Sequence, residues 1–396
     1  MPHGDSSSLA SAGAADIGCL TDGAGSDYRR PDGDRWPRDH TGRTAMTSLS
    51  TPLLILVFAA GAAATWAAGI ALSRTTDVLD RRFGLGEALG GVILLAIAGS
   101  LPEMAITVSA ASSGHLDLAA GNLLGGIAMQ TMVIVICDAA ASPKEALSYL
   151  VGSLLPVLEG SLVIFVVAVA LMGSLLPASV AIGPASPASL LIVVAWFGGI
   201  FVLNRVQRTP GWIVEAPGAS PGRRHRRTRH PKETQTPTTG STRTAIAVFA
   251  VAAAVTLVAG VGLEVSGSAI ASRAGINGVI FGATVLALAT ALPEISSGIA
   301  AVRLGDNQLA VADVFGGNAF QVCLFLLADL VAGQPVLPTA GRLDSWLAAL
   351  GIAVTVVFTF GVIARPRHCF LRLGWDSWVA VVVFGLGMAG LFALPH

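Results

Sequence analysis

The hexapeptide Ala98-Gly-Ser-Leu-Pro-Glu103 returns 191 residues later as Ala289-Thr-Ala-Leu-Pro-Glu294. Each copy lies inside a long apolar run. A carboxylate at the centre of a membrane-spanning helix costs roughly 2.5–3.5 kcal/mol on insertion scales. A sequence that bears this cost twice, at matching positions of two halves, points to an ion site shared between repeats.

The rest of the chain agrees with a membrane setting. Of 396 residues, 53% are hydrophobic and only 12% charged, and the mean hydropathy is +0.72. Apolar stretches of about 20 residues recur, each long enough to cross a bilayer. They are continuously apolar and do not alternate, which argues against a β-barrel. The sequence therefore predicts an all-α polytopic membrane protein. Ten spans are expected, at 52–73, 85–111, 117–138, 147–172, 187–204, 244–268, 277–301, 308–331, 344–364 and 376–394. The fourth carries Pro156 and Glu159 and reads as breakable. Net charge is zero. Four scattered cysteines, Cys19, Cys137, Cys323 and Cys369, form neither a CxxC pair nor a Cys/His pair at ligand spacing, so no disulfide framework or metal cluster is expected.

Residues 1–51 read as a polar tail, disordered over 1–45, with Met46 a candidate true start. Residues 52–206 and 244–396 read as two repeats of five spans each. A basic linker, 207–243, joins them and contains Arg223-Arg-His-Arg-Arg-Thr-Arg-His-Pro-Lys232. With the linker in the cytoplasm, inner loops hold 17 Lys and Arg against 2 in outer loops, or 8 against 2 without the linker region. The expected location is thus the plasma (cell inner) membrane, with both termini outward. The linker suits contact with anionic lipid. No aromatic residue interleaves its Arg run, which argues against nucleic acid.

At the 191-residue offset, 91–130 aligns with 282–321 without a gap, and 15 of 40 positions are identical. Equivalent spans lie five apart. Because five is odd, the halves are expected to sit with opposite polarity, as an inverted-topology repeat. Inverted symmetry places Glu103 and Glu294 together near the midplane. Pro102 and Pro293 lack an amide proton, so each frees a carbonyl one turn earlier, on Ala98 and Ala289. Ser100 and Thr290 add hydroxyls. The Gly125-Gly126 and Gly316-Gly317 pairs precede Gln130 and Gln321, whose amide oxygens are expected to complete an oxygen cage. Such a hard set suits Ca²⁺ and offers no thiolate or imidazole to softer metals. Asp313, the repeat mate of Asn122, is a candidate proton relay. Glu159 and Glu264 read as interfacial, Asp138 and Asp329 as boundary residues, and His115 as a loop residue.

These residues resemble the cation/calcium exchanger superfamily, which includes sodium/calcium and calcium/proton exchangers. The likeness lies in the two Leu-Pro-Glu stretches, in Gly121-Asn-Leu-Leu-Gly-Gly126 and Ala312-Asp-Val-Phe-Gly-Gly317-Asn318, and in the approach Gly275-Ile-Asn-Gly-Val-Ile-Phe-Gly-Ala-Thr284. The resemblance implies Glu103 and Glu294 as central ligands, joined by the carbonyls of Gly99 and Thr290. It also implies alternating access, in which the first and sixth spans slide against the rest. Sodium-coupled members carry Thr-Ser before Leu-Pro-Glu in both repeats. Here one repeat keeps only Ser100 and the other only Thr290, and the Ser that follows the Gly is Gly126 or Gly317. Proton-coupled members use Gln in this helix, one position earlier. The expected activity is therefore Ca²⁺ exchange for H⁺. A Na⁺-coupled or monovalent cation/proton exchanger is the alternative, as is a non-transporting protein that retains the fold. No Walker loop, HExxH or Ser/His constellation suggests an enzyme.

Overall fold

A computed structural model describes residues 48–83, 96–207 and 242–394. The N-terminal tail with Met46, and nearly all of the basic linker, fall outside the described residues, so the expectations placed on them stay open. In chain order the helices are α1 (Thr51–Phe83), α2 (Leu101–Ser113), α3 (Leu116–Thr131), α4 (Val133–Ala141), α5 (Leu147–Leu150), α6 (Leu155–Ser174) and α7 (Pro187–Gln207). After the linker come α8 (Thr242–Ala274), α9 (Gly278–Phe281), a π-helical turn (Gly282–Leu286), α10 (Ala287–Thr290), α11 (Leu292–Arg303), α12 (Asn307–Ala332), α13 (Arg342–Ala364) and α14 (Trp375–Ala393). A two-residue hairpin, Cys369–Phe370 with Leu373–Gly374, precedes α14.

Among the described residues eight helices, counting α3 and α4 as one, are long and apolar enough to cross a bilayer, and a ninth span arises if the pair bent by 44° at Ala291 is counted as one. The expected tenth, 85–111, begins among undescribed residues. The fourth expected span is broken: α5 ends at Leu150 and α6 starts only at Leu155. Pro156 sits in the first turn of α6, where its missing amide proton costs nothing.

The long helices α1 and α8 run side by side in opposite directions. Gly61 lies against Leu263 and Ala259, Phe58 stacks edge-on against Phe281 near Gly267, and Ala68 and Leu72 share a cluster with Ala252. Small residues permit the close approach. A second contact positions the site. Gly121 and Gly125, one turn apart on α3, face Val279 and Ala283, and a Cβ at either would strike backbone. Gly282 in turn lies against the Leu118 carbonyl and the Asn122 amide.

Two buried aspartates tie the halves together. Asp138 Oδ1 accepts from the Leu147 amide at 2.7 Å, and its Oδ2 accepts from the Gly374 amide at 2.7 Å and from Ser377 Oγ at 2.6 Å. Asp329 Oδ1 accepts from the Val336 amide at 2.6 Å, and its Oδ2 from the Ser186 amide at 2.9 Å. Asp138 and Asp329 stand 191 residues apart, and so do Ser186 and Ser377. Each aspartate near the end of a third helix thus holds the start of the other half's last helix. They do lie near element ends, but as caps that are 2% and 0% exposed. Asp329→Ala strands two buried amides, which costs about 2–4 kcal/mol in total. A thermal melt in detergent should fall by several degrees, and a shift under about one degree would contradict the capping role.

Candidate cation site

Both Leu-Pro-Glu motifs break a helix. Residues 96–99 form a helical turn, Ser100 departs from it, and α2 begins at Leu101 with Pro102 in its first turn. Likewise α10 ends at Thr290, and α11 begins at Leu292 with Pro293 in its first turn. Glu103 and Glu294 therefore occupy helix N-termini, where the backbone dipole favours negative charge. The preceding half-helices end in carbonyls, which favour a cation.

Glu103 is 1% exposed. Its Oε1 accepts from Gln130 Nε2 at 2.8 Å. The Thr290 hydroxyl of the other motif approaches the same carboxylate. That hydroxyl lies 3.2 Å from the Ala287 carbonyl as well. Glu294 is partly buried and close enough to feel the charges of Glu103 and Asp313. Oε2 of each glutamate is buried with no hydrogen-bond partner. Ser297 Oγ bridges the next layer, 2.8 Å from Asp313 Oδ2 and 3.2 Å from the Glu294 carbonyl.

A cavity of about 40 Å³ adjoins Glu294. Its walls include Ala98, Gly99, Pro102 and Pro293 from the two breaks, Asp313 and Ser297, Gly69 and Ser73 of α1, and Thr256 of α8. One water needs roughly 10–15 Å³ on this measure, so the cavity has room for a partly hydrated cation. Thr256 Oγ1 is buried and unpartnered too. The donors are all hard oxygens, which fits Ca²⁺, Na⁺ or a proton carrier. Among the described residues no three His, Cys, Asp or Glu converge as a metal centre.

The expected residues do not all converge. Glu103, Gln130, Ser100, Thr290, Gly99, Glu294 and Asp313 gather around the two breaks. Gln321 does not join a glutamate. Its Nε2 donates to the carbonyls of Asn122 at 3.3 Å and Leu123 at 2.8 Å on α3, and it fits there because Gly126 lacks a Cβ. The two glutamines, equivalent in sequence, thus do different work. Glu264 is 0% exposed, in a helix that runs ten residues further. Thr256 and Ser297 were not singled out from the sequence. A lone hydroxyl in an apolar helix looks like any side chain that bonds back to its own helix.

The architecture defines a class: a helical membrane protein with two proline-broken helices facing a small cavity that carries carboxylates and hydroxyls. The family model described as sodium/calcium exchanger protein matches residues 53–204 and 244–394, and the chain belongs to that family. It is 27% identical over 297 residues to CaxA of Alkalimonas amylolytica, across 75% of this chain and 83% of that one. The fold is similar to the crystal structure of H⁺/Ca²⁺ exchanger CAX, with a TM-score of 0.61 and 17% identity, over 90% of this chain and 88% of the other. It is also similar to the sodium-calcium exchanger NCX_Mj, with a TM-score of 0.53 and 14% identity, over 86% and 99% of the two chains. The chain is thus an integral multi-pass secondary-active cation antiporter, not an enzyme.

Proposed function

We propose that the chain exchanges Ca²⁺ for H⁺ by alternating access, with Glu103 and Glu294 as the cation ligands. The observation that carries this reading is the meeting of the two broken helices: Thr290 of one motif approaches Glu103 of the other, and Glu294 borders the cavity that both motifs line. Gln130, Ser100 and the carbonyls of Gly99 and Thr290 would complete the coordination. Gln321 would serve by holding α12 against α3. Asp313, joined to the site through Ser297, would carry the proton. Two carboxylates balance a divalent ion without binding it too tightly to release.

The halves are read as an inverted repeat of five spans each. The opposed run of α1 and α8 and the reciprocal aspartate ties support this, and α1 with α8 would be the moving pair. The linker would be cytoplasmic, in the cell inner membrane, with anionic lipid as its neighbour. Sodium coupling is the second reading, favoured by the hydroxyls of Ser73, Thr256 and Ser297 that line the cavity.

Inside-out vesicles separate the two. An acid interior should drive uptake of radiolabelled Ca²⁺, and a Na⁺-loaded neutral interior should not. Asp313→Asn, which copies the Asn122 of the first half, should remove most of the proton-driven rate. Uptake under the Na⁺ gradient alone would transfer the proposal to sodium, and uptake under neither would reject calcium exchange.

A further inference from the structure

We propose that the hairpin before α14 is a membrane anchor. Phe370 and Leu371 enter the acyl boundary, Lys144, Arg367 and Arg372 take the headgroups of anionic phospholipid, and the bound lipid locks the seam between the two halves. Leu371 and Arg372 are the two central residues of the turn, and Phe370 pairs with Leu373 across it. Both have positive φ, 51° and 68°. A two-residue hairpin turn of this kind favours Asn-Gly, and a left-handed conformation costs an ordinary side chain free energy. Water does nothing to offset that cost for a leucine. Yet Phe370 and Leu371 are 69% and 71% exposed.

A bilayer is the partner that fits them. The hairpin joins α13 to α14, and its strands of two residues reach only about 7 Å, so the tip stays at the membrane surface. On α14, Trp375, Val379 and Val382 share one face at helical spacing, and all are exposed. Trp375 packs edge-on against the exposed Phe360 of α13. Trp378 donates Nε1 to the Phe370 carbonyl at 2.9 Å, with its ring 6.1 Å from that of Phe370. The apolar surface of two lipid-facing helices thus continues into the hairpin through aromatic rings, which favour the membrane–water interface. That continuity selects lipid over a soluble partner.

The charge around the tip selects anionic lipid. Across 142–146 and 365–374 the sequence holds four Lys or Arg and a single acid, Glu145. Arg367 Nε lies 3.8 Å from Glu145 Oε1, and the arginine side chain is 64% exposed, so this pair is loose. Lys144 and Arg372 are exposed as well. Arg372 donates Nε to the Ala139 carbonyl at 2.9 Å, and a guanidinium has further donors for a phosphate. Arg365 plays the structural part: Nη2 donates to the Tyr149 carbonyl at 3.1 Å, and the guanidinium lies over the Tyr149 ring. The positive-inside count assigns these connections to the cytoplasmic side, where the leaflet holds anionic lipid. The basic groups come from both halves, and they surround the place where Asp138 accepts from the Gly374 amide and Ser377 Oγ. A headgroup shared between Lys144 and the hairpin arginines therefore reinforces that tie. The anchor does not depend on which cations the protein exchanges.

The test uses the full chain in nanodiscs of phosphatidylcholine, alone or mixed with phosphatidylglycerol. Hydrogen–deuterium exchange is read on peptides spanning 139–150 and 366–378. Phosphatidylglycerol should slow exchange in both by about fivefold or more, the effect of at least one basic side chain at an anionic surface. Lys144→Gln combined with Arg367→Gln should remove most of that difference and leave exchange in pure phosphatidylcholine unchanged. The basic linker is intact in this variant, so lipid bound there cannot mimic the result. Leu371→Asn asks whether the tip sits in water or in lipid. Asn tolerates the left-handed conformation better than Leu, so a tip in water would exchange more slowly, whereas an anchored tip should exchange faster in both lipids. Slower exchange in L371N, or a lipid difference that survives in K144Q/R367Q, would overturn the anchor. Exchange that is equal in the two lipids and slows as more chains are loaded per nanodisc would give this face to a second copy and overturn it too.

Discussion

Glu103→Gln and Glu294→Gln should each reduce Ca²⁺ exchange at least about 100-fold while leaving the protein folded. Two unit charges 4 Å apart interact by about 4 kcal/mol at an effective dielectric of 20. A divalent ion in direct contact with a carboxylate gains more than that, and 2.7 kcal/mol already corresponds to about 100-fold. Folding should survive because Gln matches Glu in size, and removing a buried charge relieves desolvation. The two variants should differ in detail. Gln at 103 can turn its carbonyl toward Gln130 Nε2 and keep that 2.8 Å hydrogen bond. At 294 the side chain faces the cavity and Asp313, so E294Q also alters the proton path. Ca²⁺ uptake in vesicles and monodisperse elution in detergent are the two measurements. Rates within threefold of wild type, from well-folded protein, would remove the pair from the transport site.

Gly125→Val should be the most damaging apolar substitution. A Cβ there meets Cα and Cβ of Ala283, so relief requires moving the backbone of a helix rather than turning a side chain. Overpacking costs typically about 1–3 kcal/mol, and a clash with backbone belongs at or above the upper end. The crossing also carries Gly121 against Val279 and leads into the π turn and the bend at Ala291. Displacing α3 would therefore shift Gln130 relative to Glu103 as well as lower the melting temperature. Gly198→Ala is the control: no atom lies within 4 Å of its added Cβ. It should be neutral or slightly stabilising, since Ala favours a helix over Gly by up to about 1 kcal/mol. Equal melting temperatures for G125V and G198A would refute the crossing.

What could be read from the sequence followed the cost of each feature. A carboxylate beside a proline in an apolar run is expensive, so Glu103 and Glu294 stood out, and the prolines were expected to free a carbonyl, although the spans were read as continuous through them. Apolar runs marked the helices because nothing in lipid competes with intrahelical hydrogen bonds. The break at 151–154 was foreshadowed by Pro156. Other features were hidden because their meaning is relational. Gln130 and Gln321 are equivalent in sequence, yet only the packing of Gly126 against the Gln321 amide sends one to a glutamate and the other to backbone. The burial of Glu264 was hidden too, because hydropathy ends its span at 268 whereas α8 continues to Ala274. Asp138 and Asp329 looked like boundary residues because their partners lie as far as 239 residues away in the chain.

Those two aspartates bear on how the protein is made. Asp138 and its own half enter the membrane while Gly374 and Ser377 are still unsynthesised. Until they arrive, one oxygen of a buried acid lacks its donors. Ser186, at the threshold of α7, likewise waits for Asp329. Each half emerges with an open socket that only the other can fill, so insertion order and final assembly are separate events. The seam sets only when the last helix is in place.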